Sequence, residues 1–226
     1  MDRWTLRGVA LLAAWLPAFA GHAADANANA DVWLGSGWDG PVPHAVRLQL
    51  TPGGGELRLG APWACRLPLK REGTGYTPGL SVNGGTACDR LSGRRLTVQV
   101  DGQRLRLDGL SLTSLTLRPA GDAATASGAR TLALSAPGDT AVELRLVAAA
   151  LGERSGEWRQ GGATPCRAVL ELAAVDTGQQ WHVFTAGTSG GGCDRWVGRT
   201  VVLPSAPGAA VTVRGARGAD VVLSPK

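Results

Sequence analysis

Four cysteines set in two matching frames constrain this chain more than any other feature. Gly55-Glu56-Leu57-Arg58-Leu59-Gly60 is followed by Cys65-Arg66, and Gly156-Glu157-Trp158-Arg159-Gln160-Gly161 is followed at the same spacing by Cys166-Arg167. Cys88-Asp89-Arg90-Leu91-Ser92-Gly93-Arg94 returns as Cys193-Asp194-Arg195-Trp196-Val197-Gly198-Arg199, behind the glycine runs Gly84-Gly85 and Gly190-Gly191-Gly192. Upstream, Ala45-Val46-Arg47-Leu48-Gln49-Leu50 matches Ala141-Val142-Glu143-Leu144-Arg145-Leu146. Matched blocks in one order mark an internal duplication, which sets the architecture before any local pattern does. Only one of the three possible cysteine pairings respects it, Cys65 with Cys88 and Cys166 with Cys193. Each bridge closes a loop of a little over about twenty residues, worth roughly 3 kcal/mol in the chain-entropy model. That is a large share for a unit of about 90 residues, whose core is small.

The local patterns are those of strands. Leu96 to Val100 and Gln103 to Leu107 alternate on either side of Asp101-Gly102, which predicts a hairpin with its turn at that dipeptide. Leu110 to Leu117 continues the alternation. Val142 to Leu151 is rich in alanine and leucine, but its partner in the first copy alternates and runs into Pro52-Gly53-Gly54, so its start is also expected to be a strand. Short strands with regular turns predict an all-β chain of two tandem small antiparallel β-barrels, each with one disulfide. The predicted organisation is a signal peptide over 1–23, a first β unit over 24–118, a linker over 119–128 rich in Ala, Gly, Ser and Asp, and a second β unit over 129–226.

The signal peptide is read from Arg3 and Arg7, the apolar run Val9 to Ala20, and small-residue endings that place cleavage after Ala20 or Ala23. No later stretch approaches the roughly 20 apolar residues of a membrane helix, and no cysteine lies near the cleavage site to carry a lipid. A periplasmic or secreted protein without membrane insertion is expected, in a compartment that permits disulfides. The net charge of +5 comes almost wholly from scattered arginines, the only lysines being Lys70 and Lys226. Such scatter argues against nucleic-acid binding.

Catalytic chemistry has little to rest on. Past the signal peptide only His44 and His182 remain, at unrelated positions and without a Gly-x-Ser-x-Gly turn, and both are read as structural or surface residues. Asp89 and Asp194 recur, but as turn residues that satisfy backbone N–H groups and pair with Arg90 and Arg195 rather than as a glycosidase pair or a ligand clamp. Gly190-Gly191-Gly192 is read as a flexible turn rather than an anion-binding nest. No enzyme, cofactor or metal site is expected, since the cysteines are too far apart for a metal pair. Trp158, Trp181 and Trp196 belong to core positions, whereas Trp33 and Trp38, set among glycines and Ser36, are the aromatics expected to be open to a partner.

The run Gly156-Glu157-Trp158, Gly161-Gly162-Ala163, Cys166, Val169 to Leu172, Trp181 and Cys193 resembles the small secreted bacterial inhibitors of serralysin-type zinc metalloproteases. The resemblance covers about Gly156 to Trp196; in the first unit Leu57 stands at the tryptophan position, while Gly84 to Cys88 and the Asp101-Gly102 hairpin fit. It implies an eight-stranded barrel with one disulfide and an N-terminal segment that enters the protease cleft, here Ala24-Asp25-Ala26-Asn27. The expectation is therefore an exported non-catalytic protein that inhibits a secreted or periplasmic protease. The alternative is a cell-envelope module that binds glycan or protein through Trp33 and Trp38.

Overall fold

The computed structural model describes residues 31–226 apart from 127, 189–190 and 216–218. The expected signal peptide and the expected Ala24–Asn27 arm lie outside the described residues. The first unit contains β1 (Asp31–Asp39), β2 (Val42–Thr51), β3 (Gly54–Leu59), β4 (Cys65–Glu72), β5 (Gly75–Pro78), β6 (Leu96–Asp101), β7 (Arg104–Asp108) and β8 (Thr113–Pro119). Each strand pairs antiparallel with the next and β1 pairs with β8, so the sheet closes into an eight-stranded up-and-down barrel. A short segment then carries β9 (Thr125–Ala126). The second unit contains β10 (Arg130–Ala136), β11 (Thr140–Leu146), β12 (Ala149–Ala150), β13 (Arg154–Gln160), β14 (Cys166–Asp176), β15 (Gln179–Thr188), β16 (Thr200–Leu203), β17 (Val211–Arg214) and β18 (Val221–Pro225). All but β12 form a second closed eight-stranded barrel, and β12 pairs with β9 in a separate two-stranded sheet. Closure removes the unpaired edges that an open sheet of this size would expose.

Both predicted bridges are formed, Cys65–Cys88 and Cys166–Cys193, and each ties the start of a barrel's fourth strand to a short helix. The repeated Cys-Asp-Arg block is thus not a plain turn: α1 (Thr86–Asp89) and α2 (Gly191–Asp194) each make one helical turn. Among the described residues Asp89 and Arg90 form no ion pair, so the first-unit turn is not tied in the expected way. The hairpin forms with its turn displaced by one residue. Asp101 pairs with Arg104, which leaves Gly102 and Gln103 as the loop, with Gly102 at φ 57° supplying the left-handed conformation.

An eight-stranded barrel is just wide enough for its inward side chains to fill it. The first is packed with Val46, Leu48, Leu57, Leu67, Leu96 and Leu117 among others, and the second with Leu144, Trp158, Leu170, Phe184, Val201 and Val213. One row across three strands shows how the copies diverged. Trp33, Leu48 and Leu57 lie side by side on β1, β2 and β3, and the matching row on β10, β11 and β13 is Leu132, Leu144 and Trp158. The tryptophan has changed strand while the row keeps one large and two medium side chains, so each lumen stays filled. This places Trp33 in the core, 8% exposed, and corrects the expectation that it faces a partner.

The outer faces repeat as well. Glu56 forms ion pairs with Arg58 and with Arg66, the latter at 2.6 Å, and Glu157 does so with Arg159 and with Arg167, the latter at 3.3 Å. Burial pushes the Glu56 carboxyl up, but the hydrogen bonds and charges of Arg66 and Arg58 together outweigh it and hold the group below its usual range. Those from Arg159 do the same for Glu157.

Candidate functional site

The two barrels meet along a seam, and clefts lined by residues of both open beside it. The first barrel brings β1, β2 and the loop between β3 and β4; the second brings β14, β15 and β16. Small residues on β14 let the walls approach: Ala173 packs with Ala61 and Val183, and Ala174 with Trp181 and Val202. Ala45 of β2 packs with Leu172 of β14, Leu151, and the β9–β12 pair through Ala126 and Ala149. Ser36 Oγ donates to the Ala173 carbonyl at 2.8 Å. Trp38 meets Trp181 edge to face with ring centroids 4.9 Å apart, a contact worth about 1 kcal/mol beyond its area.

Strand alternation explains why the two N-terminal tryptophans part company. Trp33 points inward and Trp38, an odd number of residues on, points outward toward the second barrel. Trp38 is half-buried in the seam. Trp181 is buried there too, under the Arg214 guanidinium, rather than in a barrel core as the sequence suggested. Trp158 and Trp196 are in the second core as expected.

Glu171 is the most unusual seam residue. It sits on β14 and its Oε1 accepts a hydrogen bond from the Ala61 backbone N–H of the first barrel at 2.9 Å. Gly60, beside it, is pressed so close that a Cβ there would overlap Glu171 Oε1. Burial raises the Glu171 pKa to about 7, against the lowering effect of the Ala61 hydrogen bond. The carboxyl is therefore part protonated near neutrality.

His44 and His182 are wholly buried. His44 stacks at a tilt on Trp63, centroids 4.3 Å apart, and neither ring nitrogen completes a hydrogen bond. Burial lowers its pKa to about 4, although the Gly60 backbone and the Asp39 carboxylate pull the other way. His182 Nδ1 lies 2.6 Å from Ser155 Oγ and its Nε2 has no partner, and burial together with the Arg130 charge lowers its pKa to about 4. A serine and a histidine in contact are the first two parts of an activated nucleophile. Here both are sealed from solvent, so no substrate meets them in this conformation.

Among the described residues no group of three or more His, Cys, Asp or Glu could hold a metal ion, and no helix is long and apolar enough to cross a membrane. Arg195 donates to Gln160 Oε1 at 3.1 Å and lies over Trp196. Gly190 of the glycine run lies outside the described residues.

Sequence reasoning missed Glu171, Gly60 and Arg47. Glu171 alternates like any outward strand residue, and only the approach of the other barrel turns it into a buried acid. No family model, no curated protein and no solved structure matches this chain.

Proposed function

We propose that this chain is an exported, non-catalytic binding protein whose partner is a secreted or periplasmic protease, which it inhibits. Two closed barrels filled by their own side chains support this reading most directly. With side chains packed inside each barrel, recognition falls to outer surfaces and to the chain ahead of β1. That chain includes Ala24-Asp25-Ala26-Asn27, the small polar arm that the resemblance to metalloprotease inhibitors directs into a protease cleft. The alternative, a cell-envelope module for glycan or protein ligands, needed Trp33 and Trp38 together on an open face, and the burial of Trp33 removes half of it.

The test is a titration of the mature protein against a secreted zinc metalloprotease, beside a form carrying one extra N-terminal residue. Stoichiometric inhibition by the first, weakened in the second, is the expected result. Full protease activity at saturating concentrations of both forms would remove the reading.

A further inference from the structure

A cleft of about 390 Å³ beside the seam separates charges of opposite sign that do not meet. On the first-barrel wall Arg47, Arg58 and Arg66 stand side by side on β2, β3 and β4 in direct register. Like charges placed opposite one another in a sheet are destabilising. Glu56 pairs with Arg58 and Arg66, which leaves the wall with a net charge of two, and Arg47 has no ion pair among the described residues. The second-barrel wall carries Glu153 and Glu171. Their hydrogen bonds are to backbone N–H groups only, from Ala150 at 3.1 Å and from Ala61. Arg154, the register partner of Glu171 on β13, turns instead to Glu157 at 3.6 Å. No arginine of the first wall reaches either glutamate within ion-pairing distance. Leu34, Ala45 and Leu151 form apolar surface between the walls.

The duplication supplies an internal control. The position of Arg47 is Glu143 in the second copy, where the row reads Glu143, Arg159, Arg167 and an acid replaces one of the three arginines. The all-arginine row occurs only in the copy whose face lines this cleft, so barrel stability does not account for it.

We infer that this cleft binds a small zwitterion, with a phosphate on the arginine row and an ammonium against Glu153. A wall of net charge two suits the negative charge of a phosphate, and guanidinium forks match its oxygens. The cleft volume is within the range of small-molecule sites. This goes beyond the protease reading and does not depend on it.

The experiment is calorimetric titration of the mature protein with O-phosphoethanolamine, inorganic phosphate and ethanolamine, with the amide resonance of Ala61 followed by NMR. Phosphoethanolamine should bind saturably, at one per chain, and more tightly than either half alone. Arg47→Glu, which installs the second copy's charge at an exposed site, should weaken binding roughly tenfold or more, about 1.4 kcal/mol. Glu143→Arg should leave it unchanged. Vesicles of phosphatidylethanolamine tell a free ligand from a lipid headgroup: capture reversed by phosphoethanolamine assigns the headgroup, and no capture assigns the free molecule. Absence of saturable binding by the unmodified protein would overturn the proposal. So would an R47E protein that melts normally and binds as before, or inorganic phosphate that binds as tightly as the zwitterion.

Discussion

Replacing Glu171 by glutamine should stabilise this protein at pH 8 and leave its stability unchanged at pH 4. The carboxyl is transferred from water, where its pKa is 4.5, to a seam where burial raises it to about 7. A raised folded-state pKa means that the folded form holds the proton more tightly between those two values. The favourable contribution is therefore complete below pH 4.5 and is lost as pH rises through 7. The difference of two and a half pKa units corresponds to about 3 kcal/mol at pH 8. Glutamine mimics the protonated acid, and its carbonyl can still accept from the Ala61 N–H. Urea unfolding of both proteins at pH 4 and pH 8 measures the effect, and comparison at each pH cancels the titration of every other group. An E171Q protein that is less stable at pH 8, or whose advantage is the same at both pH values, would refute the claim that the seam buries a carboxyl reluctant to ionise.

The histidines act in the opposite sense. Their folded pKa of about 4 lies below the ordinary 6.5, so the stability from burying them neutral is lost as pH falls from 6.5 through 4. His44→Phe should flatten the acid limb of a stability–pH curve, by up to about 3 kcal/mol between neutrality and pH 4. Trp33→Leu should cost about 2–4 kcal/mol through the cavity it leaves, and adding Leu57→Trp should recover a large part, because the row Trp33–Leu48–Leu57 then becomes the row of the second barrel. Thermal unfolding of the unmodified protein and the two variants tests this, and a double variant no better than the single one would count against it. Gly60→Ala should break the Ala61–Glu171 hydrogen bond by steric overlap, with a loss of about 1–3 kcal/mol. Its companion sign is a changed environment at Trp38 and Trp181, visible in fluorescence.

Much of the architecture is local and so was legible in advance. The duplicated blocks state the number of units, the cysteine frames state which sulfurs pair, and alternation with period two marks strands such as β6 and β7. The turn between them was misplaced by one residue because Asp101-Gly102 and Gly102-Gln103 both offer the glycine a tight turn requires; cross-strand register decides between them. The tryptophans show a different limit. Trp33 alternates with its neighbours as any strand residue does, but which face is the inside depends on how the sheet closes, and closure joins β1 to β8 far along the chain.

The candidate site was the least legible part. Ala61 and Glu171, whose contact makes the buried acid, are 110 residues apart in sequence and belong to different barrels. Arg47 and Glu143 differ in the aligned repeats, yet that difference has meaning only once one face lines a cleft and the other does not. By itself the sequence determined two disulfide-closed β units, because strand periodicity, turn chemistry and repeat spacing are properties of neighbouring residues. Tertiary structure alone decided which tryptophan is core, which carboxyl is buried and which charges face each other, because burial and electrostatics depend on what the rest of the chain brings alongside.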